Sequence, residues 1–93
     1  MNEDINTYTV KLKKIDEAID ITIIKDKYEH NKYEYIVDYC YALFNPHVNK
    51  YYISEPLTKF AVEVLLYNKL IEQIDLEFCP KFTLTNTALF SLL

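Results

Sequence analysis

The sequence predicts an α+β domain spanning residues 1–93. Three observations lead there: both ends alternate apolar and polar residues, the middle repeats its apolar residues at helical spacing, and the length suits one core. The expected order is β-β-α-α-β-β-α, with two hairpins around two main helices and a short C-terminal helix.

The first hairpin is expected from two alternating runs. Tyr8, Val10 and Leu12 share one side of the first, with Thr9 and Lys11 on the other. Ile19, Ile21 and Ile23 then alternate with Asp20 and Thr22, and the polar Asp16-Glu17-Ala18 connects the runs. A helix across residues 10–24 is the competing assignment. Asn31 and Glu34 stand at capping-box spacing, and Ile36, Tyr39, Cys40, Leu43 and Phe44 follow at i, i+3, i+4, i+7 and i+8. This spacing predicts a helix ended by Asn45-Pro46.

Ser54, with Pro56 in the first turn, is expected to cap a longer helix over 55–74. Its inward face would carry Phe60, Val64, Tyr67, Ile71 and Ile74, with Phe60, Val64 and Ile71 fully buried. Val62 and Leu66 fall on its other side and need a cover, from the N-terminal strands or another subunit. Period two returns with Leu76 and Phe78, then Phe82 and Leu84, around a glycine-free turn at Cys79-Pro80-Lys81. Thr85 would cap the last helix, residues 86–92.

Composition narrows the chemistry. The chain has no glycine, so neither a P-loop nor a Rossmann fingerprint can be written in it, because both need backbone close to phosphate. All ten cations are lysine, and Asn, Ile, Lys and Tyr supply 36 of the 93 residues, which points to A/T-rich coding such as that of a low-GC bacterium, its phage or a mobile element. The first nine residues hold two acids and no apolar run, which predicts no signal peptide. No apolar stretch reaches the roughly 20 residues of a membrane span. Two widely separated cysteines, Cys40 and Cys79, suit reduced thiols in a cytoplasm, the cell's own or a host's.

No catalytic residue is assigned. Cys40 lies on an apolar face, and neither His30 nor His47 stands in a context that would make it a general base. His30, Cys40, His47 and Cys79 could supply four zinc ligands, but none are paired on one turn, so no metal or other cofactor is expected. The acids Asp16, Glu17, Asp20, Asp26 and Glu29 read as a solvated stretch, with mimicry of nucleic acid as the functional alternative.

The tyrosines carry the most information. Seven of nine fall between Tyr28 and Tyr52. On the expected helix, Tyr35 and Tyr41 project away from the apolar stripe, beside Glu34 and Asp38. Tyr51 and Tyr52 are adjacent, so in an extended segment one of them faces outward. Large amphipathic rings with no folding role are what interface centres favour. Tyr35, Tyr41, Tyr51 and Tyr52 are therefore the expected partner-binding anchors, rimmed by Glu34 and Asp38; burial against the core is the alternative.

Residues 65–72 (Leu-Leu-Tyr-Asn-Lys-Leu-Ile-Glu) followed by 81–88 (Lys-Phe-Thr-Leu-Thr-Asn-Thr-Ala) resemble the end of a winged-helix domain over about 30 residues. There a long helix leads into a hairpin wing and then a Leu-Thr step into a last helix. The resemblance implies duplex DNA binding, which in this chain would engage Lys59 and Lys69. The residues themselves favour a small non-enzymatic protein-binding module that docks on a larger protein or protein–nucleic acid complex. Its sharpest form is an anti-CRISPR-like phage or mobile-element inhibitor, and a DNA-binding transcriptional regulator is the alternative. Direct DNA binding is not expected, because the chain carries a net charge of −4 and has no arginine for bidentate contacts to guanine. No membrane association is expected, and a homodimer is compatible with the sequence.

Overall fold

The computed structural model describes residues 5–26, 33–54, 57–76 and 79–92. A 3-10 turn, Ile5–Thr7, leads into β1 (Tyr8–Ile15) and β2 (Ala18–Lys25), then β3 (Tyr35–Asn45) and β4 (Lys50–Ile53). Helix α1 (Lys59–Tyr67), strands β5 (Ile71–Leu76) and β6 (Cys79–Leu84), and helix α2 (Asn86–Phe90) complete the chain. All six strands form one antiparallel sheet in the order β1-β2-β3-β4-β6-β5. The expected α+β order with two main helices is thus overturned: the molecule is mostly sheet, with one substantial helix.

The largest correction is the expected helix after Glu34, which is strand β3. Cys40 and Ala42 are buried on one face while Tyr39 and Leu43 are exposed on the other, the period-two pattern of a strand. The helical spacing has a local cause. The β2–β3 register pairs Ile23 with Asp38 but Ile24 with Ile36, so Val37 is an extra residue in a β-bulge. The bulge shifts the phase of the alternation and puts Ile36 three residues from Tyr39 on the same face. Branched and aromatic side chains then favour the strand. Asn31, half of the expected capping box, lies outside the described residues.

Helix α1 is shorter than expected at both ends. Thr58, not Ser54, is its N-cap and accepts the Ala61 N–H at 3.0 Å; Pro56 lies outside the described residues. The helix stops at Asn68, where Lys69 takes a left-handed conformation (φ 59°) and the Leu70 N–H returns to the Leu65 carbonyl at 3.0 Å. Ile71 and Ile74 therefore belong to β5. Val64 and Ile71 are buried as expected, but Phe60 is only partly buried and Tyr67 is exposed. Phe60 packs edge-to-face on Tyr8 at 4.9 Å. Without glycine, the turns place Asp16 and Asn49 as well as Lys69 at positive φ, at roughly 1–2 kcal/mol each for an L-residue.

Other expectations hold. The first hairpin forms, with Ile15 opposite Ala18 across a two-residue turn. Thr85 caps α2, accepting the Ala88 N–H at 3.2 Å. The second hairpin also forms, but Cys79-Pro80-Lys81 lies in β6, not at the turn; its turn lies outside the described residues.

Both helices lie on one face of the sheet. Ile19, Ile21 and Ile23 from β2 are fully buried there with Val64 and Leu65 from α1 and Ala88 from α2. Burying each isoleucine stabilises the fold by about 1.5–3 kcal/mol relative to exposure. Cys40 is part of this core, and burial, with Asp38 second, pushes its thiol up to about 11. No described helix is long and apolar enough to cross a membrane.

Candidate binding surface

The strand register decides which residues share the second face, the one away from the helices. Three cross-sheet rows follow from it. Lys11, Thr22 and Tyr39 form the first, and Lys13, Asp20 and Tyr41 the second, which continues to Ser54 because the Ser54 N–H donates to the Tyr41 carbonyl at 3.0 Å. The third runs Ile15, Ala18, Leu43, Tyr52, Thr83 and Glu72. Tyr52 opposite Thr83 also sets Lys81 beside Ser54, and both border a hollow of about 530 Å³ with Leu43, Tyr52 and the Asn45-Pro46 turn.

The centre of this face is aromatic and aliphatic. Tyr39 is 53% exposed and Leu43 45%, with Tyr41 and Tyr52 half-buried beside them. The Tyr39 hydroxyl donates to Asp20 Oδ1 on the neighbouring strand at 3.0 Å. That hydrogen bond, then burial and the charge of Asp20, hold the Tyr39 phenol above its ordinary value.

Lysines flank the centre on both sides. Lys11 and Lys13 stand exposed on β1, two strands from β3, and Lys50 and Lys81 stand exposed on β4 and β6. The carboxylates among them are Asp20, tied to Tyr39, and Glu72, 3.8 Å from Lys50. A third, Asp26, accepts the Thr9 hydroxyl at the far end of β1 and β2. A chain of net charge −4 thus gathers four lysines around one aromatic strip.

The structure brings together two of the four anchors expected from sequence, Tyr41 and Tyr52. Tyr51 points to the other face, where it packs against the core and meets Phe44 at 5.0 Å. Tyr35 pairs with Lys25 beyond the bulge, on the helix side, since the Lys25 ammonium lies over the Tyr8 ring at 4.6 Å. Tyr35 and Tyr41 are therefore on opposite faces of a sheet, not on one side of a helix. Glu34 precedes β3 and is exposed. Asp38 faces α1, where Oδ2 accepts the Thr58 hydroxyl at 2.9 Å and Oδ1 the Tyr39 N–H at 2.8 Å. It ties the helix start to a stretch of β3 that β4 does not reach.

Sequence reasoning missed Tyr39, Leu43 and the lysines of the outer strands. Part of the signal was there: Lys11 already alternates against Tyr8, Val10 and Leu12.

Of the four residues considered for zinc, the structure describes the side chains of Cys40 and His47, and these two stand apart. His30 and the Cys79 side chain lie outside the described residues, and exposed His47 stands in the turn after β3, whose end at Asn45 is five strand positions from buried Cys40, roughly 16 Å at ~3.3 Å per residue. Among the described residues no three His, Cys, Asp or Glu side chains are grouped to hold a metal ion. On the helix side, a second hollow of about 360 Å³ between β1 and the ends of both helices has a mixed lining of Tyr8, Leu12, Asn68 and Ser91. The chain matches no protein-family model, and comparisons with curated proteins and with solved structures likewise find no match.

Proposed function

We propose that the protein is a non-enzymatic binding module that docks its helix-free sheet face on a larger macromolecule, a protein or a protein–nucleic acid complex. One observation carries this reading. Six strands present a face that no described element covers, with Tyr39, Tyr41, Leu43 and Tyr52 at its centre. Folding buries the helix side; on this face Ile24 and Thr83 are also buried, whereas Tyr39 and Leu43 stay exposed. Exposed aromatic clusters with a polar rim are the composition of interface centres. The narrower form, an anti-CRISPR-like inhibitor encoded by a phage or mobile element, draws its support from size, coding bias and surface type.

The test pairs binding with stability. Partners co-purified with the tagged protein from cells are quantified by mass spectrometry for wild type, Tyr39→Ala and Tyr41→Ala, and each variant is melted. An anchor at an interface centre contributes on the order of 2 kcal/mol of binding, about a 30-fold loss on truncation. The exposed Tyr39 should change fold stability by only about 0.5 kcal/mol. Unchanged partner recovery in both variants would refute the docking face. A duplex DNA complex abolished by Lys59→Ala but not by Tyr39→Ala would favour the transcriptional regulator.

A further inference from the structure

We infer that the partner contributes an extended protein segment that adds as a strand to the free edge of β3, an inference that rests on the docking reading and names what the partner brings to it. The backbone supplies the first argument. β3 pairs with β2 along Tyr35–Leu43, but β4 meets it over Ala42–Asn45, with the Ser54 N–H reaching on to the Tyr41 carbonyl. Antiparallel alternation turns the Tyr39 peptide groups to the same side. The next donor in that ladder would be residue 56, a proline with no N–H to give. Asp38 Oδ1 takes the Tyr39 N–H at 2.8 Å, and Asp38 Oδ2 takes the Thr58 hydroxyl on the helix side. Residues 35–40 of β3, roughly 20 Å at ~3.3 Å per residue, are thus an edge that no described strand pairs.

Side chains distinguish this edge from the other two. The outer strand β1 carries Lys11, Lys13 and Lys14, and the outer strand β5 carries Glu72 and Asp75. Charges of that kind keep a free edge from pairing with other chains. Tyr35, Ile36 and Val37 carry none and are exposed, Ile36 by 64%. Ile36 lies on the same face as Tyr39, and Tyr35 on the helix side, so an added strand meets apolar side chains on both of its faces. In strand addition, backbone hydrogen bonds hold the segment and its alternate side chains select it. The unguarded edge runs directly into the Tyr39–Tyr41–Leu43 strip, so one partner can engage both.

The occupant is a different protein and not a second copy. From Tyr33 to Phe44 the sequence holds Glu34 and Asp38 and no cation. Two copies of this edge paired about a two-fold axis bring those acids within two ladder positions of one another, and like charges across a ladder destabilise it. An edge roughly 20 Å long and one strand wide is also too small for a stable dimer, which needs about 800 Å² per copy. The segment that fits alternates branched or aromatic residues and carries a lysine or arginine where it passes Glu34 or Asp38.

The probe is a displayed library of random peptides about 12 residues long, enough to span the edge, selected on the full chain. Selected peptides should share alternating apolar residues and a lysine or arginine. The best of them, made synthetically, should bind wild type at least tenfold more tightly than Ile36→Lys, whose melting should match wild type because the side chain is exposed. A scan of N-methylated amides along that peptide carries the signature of strand pairing. Methyl groups at alternate positions should weaken binding tenfold or more, and those between them less than threefold, because every second amide of a strand faces its neighbour.

No selected peptide, selection of acidic or helically spaced sequences, binding indifferent to Ile36→Lys, or an N-methyl scan without alternation overturns the inference. Self-association of the wild type in sedimentation that Ile36→Lys abolishes also overturns it, by giving the edge to a second copy. The two readings fail separately. Co-purified partner lost in Tyr39→Ala but retained in Ile36→Lys, with no peptide selected, refutes the added strand and leaves the docking face standing. Recovery indifferent to Tyr39→Ala, Tyr41→Ala and Ile36→Lys refutes both.

Discussion

Thr83→Val tests the packing beneath the proposed surface. Thr83 is fully buried, opposite Tyr52 on one side and Glu72 on the other, and its hydroxyl has no hydrogen-bond partner among the described residues. Burying an unpaired hydroxyl costs about 1–3 kcal/mol. Valine has nearly the same shape and exchanges the hydroxyl for a methyl that gains from the same burial. The variant should therefore be more stable by about 1–2 kcal/mol. For a domain of this size that raises the melting temperature by roughly 4–8 °C per kcal/mol. Urea titration followed by circular dichroism gives the same quantity as a higher midpoint at constant slope. Thr83→Ala is the control: it also removes the hydroxyl but leaves a void, so its gain should be smaller or reversed. Thr83→Val less stable than wild type by more than about 0.5 kcal/mol would refute the argument, because it would mean that the hydroxyl is satisfied.

Two further outcomes follow from the helix cap and the core thiol. Thr58→Ala removes the acceptor for the Ala61 N–H and the donor to Asp38, and should cost about 1 kcal/mol or somewhat more, read as a lower melting temperature. Stability should also fall at high pH through Cys40. Its thiol is held near 11 when folded against an ordinary value of about 9. The folded form therefore keeps the proton that the unfolded form loses, so this contribution is intact below about pH 9 and declines as pH rises towards 11. The full difference is worth roughly 2–3 kcal/mol, and Cys40→Ala should flatten the decline in urea midpoints measured from pH 8 to 11.

The sequence made some elements legible and hid others for identifiable reasons. The first hairpin was readable because Ile19, Ile21 and Ile23 alternate without interruption and all point into the core. The Thr85 cap was readable because capping is local chemistry. β3 was hidden because one extra residue at Val37 turns a strand's period into a helix's. The end of α1 was hidden because Ile71 and Ile74 continue the apolar spacing of Phe60 and Val64 while the chain has already turned through Lys69. Nothing in the residue types marks that turn, since a glycine-free chain stops its helix with a lysine where glycine is usual.

The candidate site was half legible, and the missing half depends on strand order. Tyr52 was legible because adjacent tyrosines in an extended segment divide between two faces, whereas Tyr41 points outward from strand β3 and not from the helix expected there. The lysines could not be found that way. Lys11 and Lys13 belong to the first strand and Lys81 to the sixth, and along the chain each is diluted by nearby acids. They flank the same rings only because β3 and β4 lie between β2 and β6 in the sheet, so that β1 and β6 fall on either side of the aromatic strip. Net charge averages over this arrangement. Pairing register separates the faces: away from the helices, the described Lys11, Lys13, Lys50 and Lys81 share the face with Asp20, Asp26 and Glu72.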